Sequence, residues 1–176
     1  MQKIFTINDH YHARIKAPFG ILGVRVEDER ISQIVFLPKS LTTLAPQSKL
    51  AEKAVTQINR YLDDPEFRFK LPMKEVGTDF QRRVWGAISS IPSGRTLSYG
   101  AIARQIRTGP RAVGQACGAN WFPLVIPCHR VVASGGLGGF GNQDTDEQGF
   151  HLSIKRWLLQ HEATDAGANP RMRMTA

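Results

Sequence analysis

The sequence predicts an α+β protein: a small N-terminal domain on an antiparallel sheet, then a mostly helical C-terminal domain carrying a helix-turn-helix. Three observations lead there. Residues 13–37 are rich in β-branched residues and hold a turn-like "EDER". Residues 78–120 carry three successive helix starts, separated by short turns. Between them, "DDPEFRFKLPMKEVG" breaks every periodicity with two prolines, a charge cluster and Gly77. The boundary is placed near residue 75, giving domains 1–75 and 76–176.

Taken in order, "GILGVRV" and "RISQIVFLP" predict an antiparallel hairpin. Residues 48–62 predict a helix, with Ala51, Val55, Ile58 and Leu62 on its apolar face and Ser48 as cap. His10 and His12 lack further ligands nearby and read as surface residues, so no metal site is expected. Thr78 and Gln81 have capping-box spacing. They open a helix that buries Phe80, Val84, Ala87, Ile88 and Ile91 and stops at Pro92. Ser98 caps a second short helix, "YGAIARQI", and Pro110 begins a third, "PRAVGQACGAN". Two short helices joined by a tight Gly-containing turn form the helix-turn-helix pattern. "ASGGLGGFGN" is too glycine-rich for a regular element and reads as a loop with an acidic extension over 142–150. "LSIKRWLLQHE" returns to helix, with Ile154, Trp157 and Leu158 on one face, and residues 163–176 read as a disordered tail.

Composition narrows the function. No apolar run is long enough to span a membrane, and the first residues lack a signal-peptide core, so a cytoplasmic setting is expected. Two cysteines are too few for a disulfide scaffold. From Phe80 to Gln143 there is no Asp or Glu, while Arg82, Arg83, Arg95, Arg104, Arg107, Arg111 and Arg130 all fall there. Arginine forks suit phosphate oxygens, so the net charge of +8 points to a polyanion partner. The third predicted helix is nearly free of side chains at Ala112, Gly114, Ala116, Gly118 and Ala119. Glycine costs about 1 kcal/mol against alanine inside a helix, so close approach of another backbone is implied. With Arg107 and Arg111 at its start, a nucleic-acid strand is favoured over a second helix.

Cys128, in "VIPCHRVV", is packing or chemistry. The segment reads as extended, which puts Cys128 and His129 on opposite faces unless the chain turns after Pro127. A turn or a bridging water restores communication between them. Glu162 ends an apolar helix and is the candidate to orient His129. With His129 and Arg130 adjacent and carboxylates absent locally, a lowered thiol pKa is expected at Cys128. Cys117 reads as a packing residue.

Together "SYGAIA", "RAVGQACGAN", "PCHRVV" and "KRWLLQHE" resemble the methylated-DNA–protein-cysteine methyltransferases, which repair O6-alkylated guanine. The likeness covers about half the chain, from "GTDFQRRVWG" onward, and extends loosely to the N-terminal third, which it implies is RNase H-like. It implies double-stranded DNA containing alkylated guanine as partner, no cofactor and a monomer. It implies that Cys128 accepts the alkyl group in a single turnover, with His129 as base through water and Glu162 orienting it. Asn120 would brace the cysteine turn. Tyr99, next to Ser98, would crowd the target phosphate and assist flipping, and Arg111 would fill the gap in the base stack. Arg107, Ala112 and Gly114 would lie along the DNA. The family's guanine-contacting loop residue is usually tyrosine and is Phe140 here. O4-alkylated thymine is a further candidate substrate. The rival readings are a non-covalent alkylated-base sensor, which needs Cys128 silent, and a thiol hydrolase or peroxidase with an incidental basic face.

Overall fold

The computed structural model describes residues 10–139, 149–165 and the backbone of 174–175. Its elements are β1 (Ala13–Ala17), β2 (Gly20–Glu27), β3 (Arg30–Leu37), α1 (Lys49–Asp63), α2 (Asp79–Ser89), β4 (Thr96–Ser98), α3 (Tyr99–Ile106), α4 (Pro110–Gly118), β5 (Val131–Val132), α5 (Phe150–Asp165) and β6 (Met174–Thr175). The chain divides into two compact units. The first runs to Leu62 and takes back Phe69–Lys74; the second comprises Asp63–Arg68 and the chain from Glu75 onward.

In the first unit β1, β2 and β3 form an antiparallel meander in chain order, one strand more than the hairpin. β2 is buried along its first five residues, on both faces, and reads accordingly as a continuous apolar run. Gly23 lies in that run, where an added Cβ would stand 2.6 Å from the Tyr11 ring. α1 is capped by Ser48, whose Oγ accepts from Ala51 N at 3.1 Å. It buries Ala51, Ala54, Ile58 and Tyr61, while Val55 and Leu62 are only half-buried, so its inner stripe is rotated from the expected one. The aromatic Tyr61 and the polar Gln57 on the inner face explain the rotation. Gln57 pairs reciprocally with the Lys70 backbone (2.7 and 3.0 Å) and tethers the returning segment. Ile31 then binds Pro72 O and Lys74 N at 2.8 Å each, adding a parallel bridge to β3.

In the second unit the Thr78–Gln81 capping box opens α2. α3 and α4 are linked through Arg107, Thr108 and Gly109. Arg107 takes the left-handed conformation as C-cap (φ 57°), and Pro110 stands in the first turn of α4. The core gathers Val84, Ile88, Ile91, Ile102, Val113, Ala116 and Val131 around Cys128. β4 is central in a small parallel sheet, flanked by β5 and β6.

Two expectations need correction. The segment before the cysteine is not extended: Ile126 N reaches back to Phe122 O at 2.8 Å, and Cys128–Arg130 form one 3₁₀ turn. Regular strand begins only at Val131. Nor does disorder begin at residue 163. α5 continues to Asp165, since no glycine interrupts it before Gly167, and Met174–Thr175 pair with the edge of β4. Phe140 and most of the acidic extension lie outside the described residues. Among the described residues no helix is long and apolar enough to cross a membrane.

Candidate functional site

Cys128 sits at the start of the 3₁₀ turn and is 4% exposed. Asn120 organises the loop that delivers it. Its Oδ1 accepts from Phe122 N (2.9 Å), and its Nδ2 donates to Ile126 O (2.9 Å) and to Cys128 Sγ (3.2 Å). The side chain thus closes both ends of the 120–128 turn. Within it Leu124, buried, holds φ 73°, a left-handed conformation that costs an L-residue about 1–2 kcal/mol. Asparagine suits the brace because one amide supplies an acceptor and two donors.

Behind the cysteine lies a buried ionic cluster. His129 Nε2 is 2.7 Å from Glu162 Oε1. Arg130 binds the same carboxylate twice, Nε to Oε2 at 3.0 Å and Nη2 to Oε1 at 2.8 Å, and donates to Ile91 O at 2.6 Å. His129 and Glu162 are each 1% exposed. Burial works against the Glu162 carboxylate, but His129 and Arg130 outweigh it and hold the group well below the usual range. Burial pushes His129 down, and Arg130 and Lys155 add to that against the pull of Glu162. A neutral imidazole that donates from Nε2 leaves Nδ1 as a bare lone pair. Nδ1 is buried and has no hydrogen-bond partner among the described residues.

The neighbouring Cys117 thiol and burial push Cys128 well above its ordinary value, against the smaller opposing effects of Asn120 and Lys155. The expected lowering at Cys128 is not found, because the Cys117 thiol and burial, neither of them visible in a charge count, outweigh Asn120 and Lys155.

The remaining expected residues fall on the helix pair. Ser98 Oγ caps α3 through Ala101 N at 3.0 Å. Tyr99 begins that helix, and its hydroxyl donates to Gly139 O at 3.2 Å. Burial raises its pKa. Arg107 and Arg111 are exposed, at the end of α3 and the start of α4. Ala112 and Gly114 are half-buried. A Cβ added to Gly114 would meet only the Tyr99 ring, at 3.9 Å, so no protein neighbour demands glycine there. Cys128, His129, Glu162 and Asn120 thus come together in one buried group, with Tyr99 bonded to the loop after β5; Arg107 and Arg111 stay on the surface.

Two members were missed from the sequence. Arg130 counted as charge for a polyanion and as a cation beside the thiol, not as a partner of Glu162. Lys155 is fully buried, donating to Val131 O (2.7 Å) and Gly139 O (2.9 Å), with burial lowering its pKa to about 8. A signal existed: Ile154, Lys155, Leu158, Leu159 and Glu162 share one helical face, so two charged residues stood inside an apolar stripe.

The model of the 6-O-methylguanine DNA methyltransferase DNA-binding domain matches residues 79–164. The methylated-DNA–protein-cysteine methyltransferase of Mycobacterium bovis is 36% identical over 91% of this chain and 96% of its own. The chain belongs to the methylated-DNA–protein-cysteine methyltransferase family. The crystal structure of the Mycobacterium tuberculosis O6-methylguanine methyltransferase has TM-score 0.73 at 33% identity, covering 91% of this chain and 97% of its own. A structure of the M. tuberculosis protein in complex with DNA has TM-score 0.71 at 35% identity, covering 86% of this chain and 91% of its own. This methyltransferase has two cysteines, Cys117 and Cys128, and it is the Cys128 sulfur that the Asn120 side chain holds, next in sequence to the His129–Glu162 pair.

Proposed function

We propose that this chain repairs DNA by direct reversal, drawing an O6-alkylated guanine out of the duplex and taking its alkyl group onto Cys128. The observation that carries the reading is the bracing of Cys128 Sγ by Asn120, next in sequence to a buried imidazole fixed by Glu162. The base is extruded because its O6 is inaccessible inside the stack. Sγ attacks the alkyl carbon; the S–C bond forms as the C–O6 bond breaks, and its electrons leave with guanine. The thiol proton passes through a water to His129 Nδ1, the orphaned acceptor. The imidazolium that forms is stabilised by Glu162, whose charge Arg130 keeps in place. Deprotonation during attack, rather than a standing thiolate, suits a thiol whose resting pKa is raised. The product is a thioether, which neither water nor another thiol cleaves at useful rates, so each molecule acts once.

Duplex DNA is the partner that the arginine-only stretch fits. The small surface of α4 at Ala112 and Gly114 admits a backbone closely, Arg111 stands ready to fill the vacated stack, and Tyr99 lines the entry. The non-covalent sensor is the rival. The deciding experiment mixes the protein with a duplex carrying one O6-methylguanine and records intact mass and a peptide map. One added methyl on Cys128, with guanine restored, is expected. Binding without a mass change would establish the sensor. A methyl on another residue, or repair by Cys128→Ser, would overturn the assignment of the acceptor.

A further inference from the structure

We propose that Cys117 and Cys128 form a reversible disulfide in hydrogen peroxide, a second chemistry of the acceptor thiol in which oxygen replaces the alkylated base as electrophile. Cys117 occupies the last turn of α4 and packs against the cluster that holds Cys128. Both are free thiols. Asn120 spans the two: its backbone N–H binds Cys117 O at 3.1 Å, and its side-chain amide donates to Cys128 Sγ at 3.2 Å. The thiols are close enough for each to perturb the other's ionisation. Past Gly118, the last residue of α4, the chain between them is the non-helical 119–127 turn, which can absorb the shift to an S–S bond of about 2.05 Å.

The asymmetry of the pair gives the order of events. Cys117 is half-buried where Cys128 is buried, so peroxide meets Cys117 first. The neighbouring Cys128 thiol, helped by Lys155, holds Cys117 below its ordinary value against its own burial. A thiolate is the species peroxide oxidises. The Cys117 thiolate attacks peroxide; an S–O bond forms, the O–O bond breaks, and sulfenic acid and hydroxide result. Cys128 then attacks that sulfur, forming the disulfide and releasing water. Two thiols and one peroxide give one disulfide and two waters. A dithiol reverses it by exchange. Since alkyl transfer consumes Cys128 permanently, a reversible oxidised form preserves a thiol that over-oxidation would destroy.

The linkage stands independently of the alkyl-transfer reading; only the accompanying loss of activity rests on it. The test treats the full chain with one equivalent of hydrogen peroxide, then takes an intact mass and a non-reducing peptide map. The loss of two hydrogens and a linked Cys117–Cys128 peptide are expected, both reversed by dithiothreitol. Methyl acceptance should fall with the linked fraction and return on reduction. Cys117→Ser and Cys117→Ala should accept methyl as the parent does before peroxide and, treated alongside it, should show no linked peptide; in excess peroxide they should lose methyl acceptance to sulfinic acid on Cys128, which dithiothreitol does not reverse, where the parent recovers. Added oxygens on Cys128 of the parent with no linked peptide, or Cys117 variants that recover with dithiothreitol from excess peroxide as the parent does, would overturn the proposal. A linked peptide in a protein that accepts no methyl would instead sink the functional reading and leave the disulfide standing.

Discussion

Arg130 grips both oxygens of Glu162 (2.8 and 3.0 Å) while His129 shares one of them at 2.7 Å, so a single buried carboxylate serves two neighbours in the sequence. That double use makes Arg130 structural. Removing one partner of a buried pair leaves a charge unpaired, at about 3–5 kcal/mol. Arg130→Leu should lose stability of that order in urea denaturation. Arg130→Lys should recover only part, because an ammonium cannot make the paired contact and reach Ile91 O as well. An Arg130→Leu protein as stable as the parent would mean that His129 alone balances Glu162.

His129 carries the proton in the proposed reaction. General-base contributions are typically about 10²–10⁴-fold. His129→Ala should slow single-turnover methyl transfer by that range while leaving duplex affinity unchanged, since His129 is buried behind the cysteine. Glu162→Gln should slow it less, because the amide still accepts a hydrogen bond from Nε2. An equal fall in duplex affinity would show that the substitution had disturbed the fold rather than proton transfer.

The legible part of this protein was local. Capping residues, proline positions and apolar spacing placed α2, α3 and α4, because a helix start is written in a few adjacent residues. The order of motifs around Cys128 placed its environment. Less legible were the turn that brings the cysteine round and the buried cations. The turn depends on Asn120 bonding across six and eight residues, and on Leu124 accepting a left-handed backbone. The resemblance pointed to Asn120 as the brace, but nothing in "NWFPLVIPC" marks the left-handed Leu124 or the turn itself. Arg130 and Lys155 are ordinary surface residues by composition. Only the packing of α5 against the Cys128–Arg130 turn makes them internal.

Acid should act in two stages. His129 has its folded pKa below the ordinary 6.5 through burial. Below about 6.5 the unfolded chain therefore binds a proton the folded chain refuses, and stability falls as pH drops. Glu162 is held below its ordinary 4.5 despite burial, by His129 and Arg130, so its share is complete above 4.5 and is lost as pH falls further. Urea denaturation at stepped pH should show both declines. His129→Asn should abolish the upper one and keep the lower. A single decline confined to below pH 4.5 would place a charged imidazole in the folded state.

Gly138 tests the wall of the site. Its φ is +71°, and an added Cβ would stand 2.9 Å from the Tyr99 ring and 3.0 Å from Ala133 N. Gly138→Ala combines a left-handed backbone, costing about 1–2 kcal/mol, with a collision against backbone that cannot rotate away. It should lower stability by at least that and displace Tyr99, which thermal melts and tyrosine ring NMR shifts would report. Unchanged tyrosine shifts would mean that the loop moves and the ring does not.

Arg111 is the residue that would separate the proposed DNA handling from the chemistry. Arg111 is exposed at the start of α4, so Arg111→Ala should leave methyl or benzyl transfer from a free guanine base unchanged. On duplex substrate it should slow transfer, because in the proposed reaction the flipped base leaves an unfilled stack whose loss costs a few kcal/mol. Tyr99→Ala should impair both substrates, since Tyr99 also bonds Gly139 O beside Lys155 and supports the pocket. Ionic strength supplies the control. Affinity for duplex should fall linearly in log–log form with salt, and Arg111→Ala should flatten that slope by about one unit if Arg111 also neutralises a phosphate in the unflipped complex. Equal losses of Arg111→Ala on free base and duplex would remove Arg111 from base extrusion and leave it a general determinant of the fold.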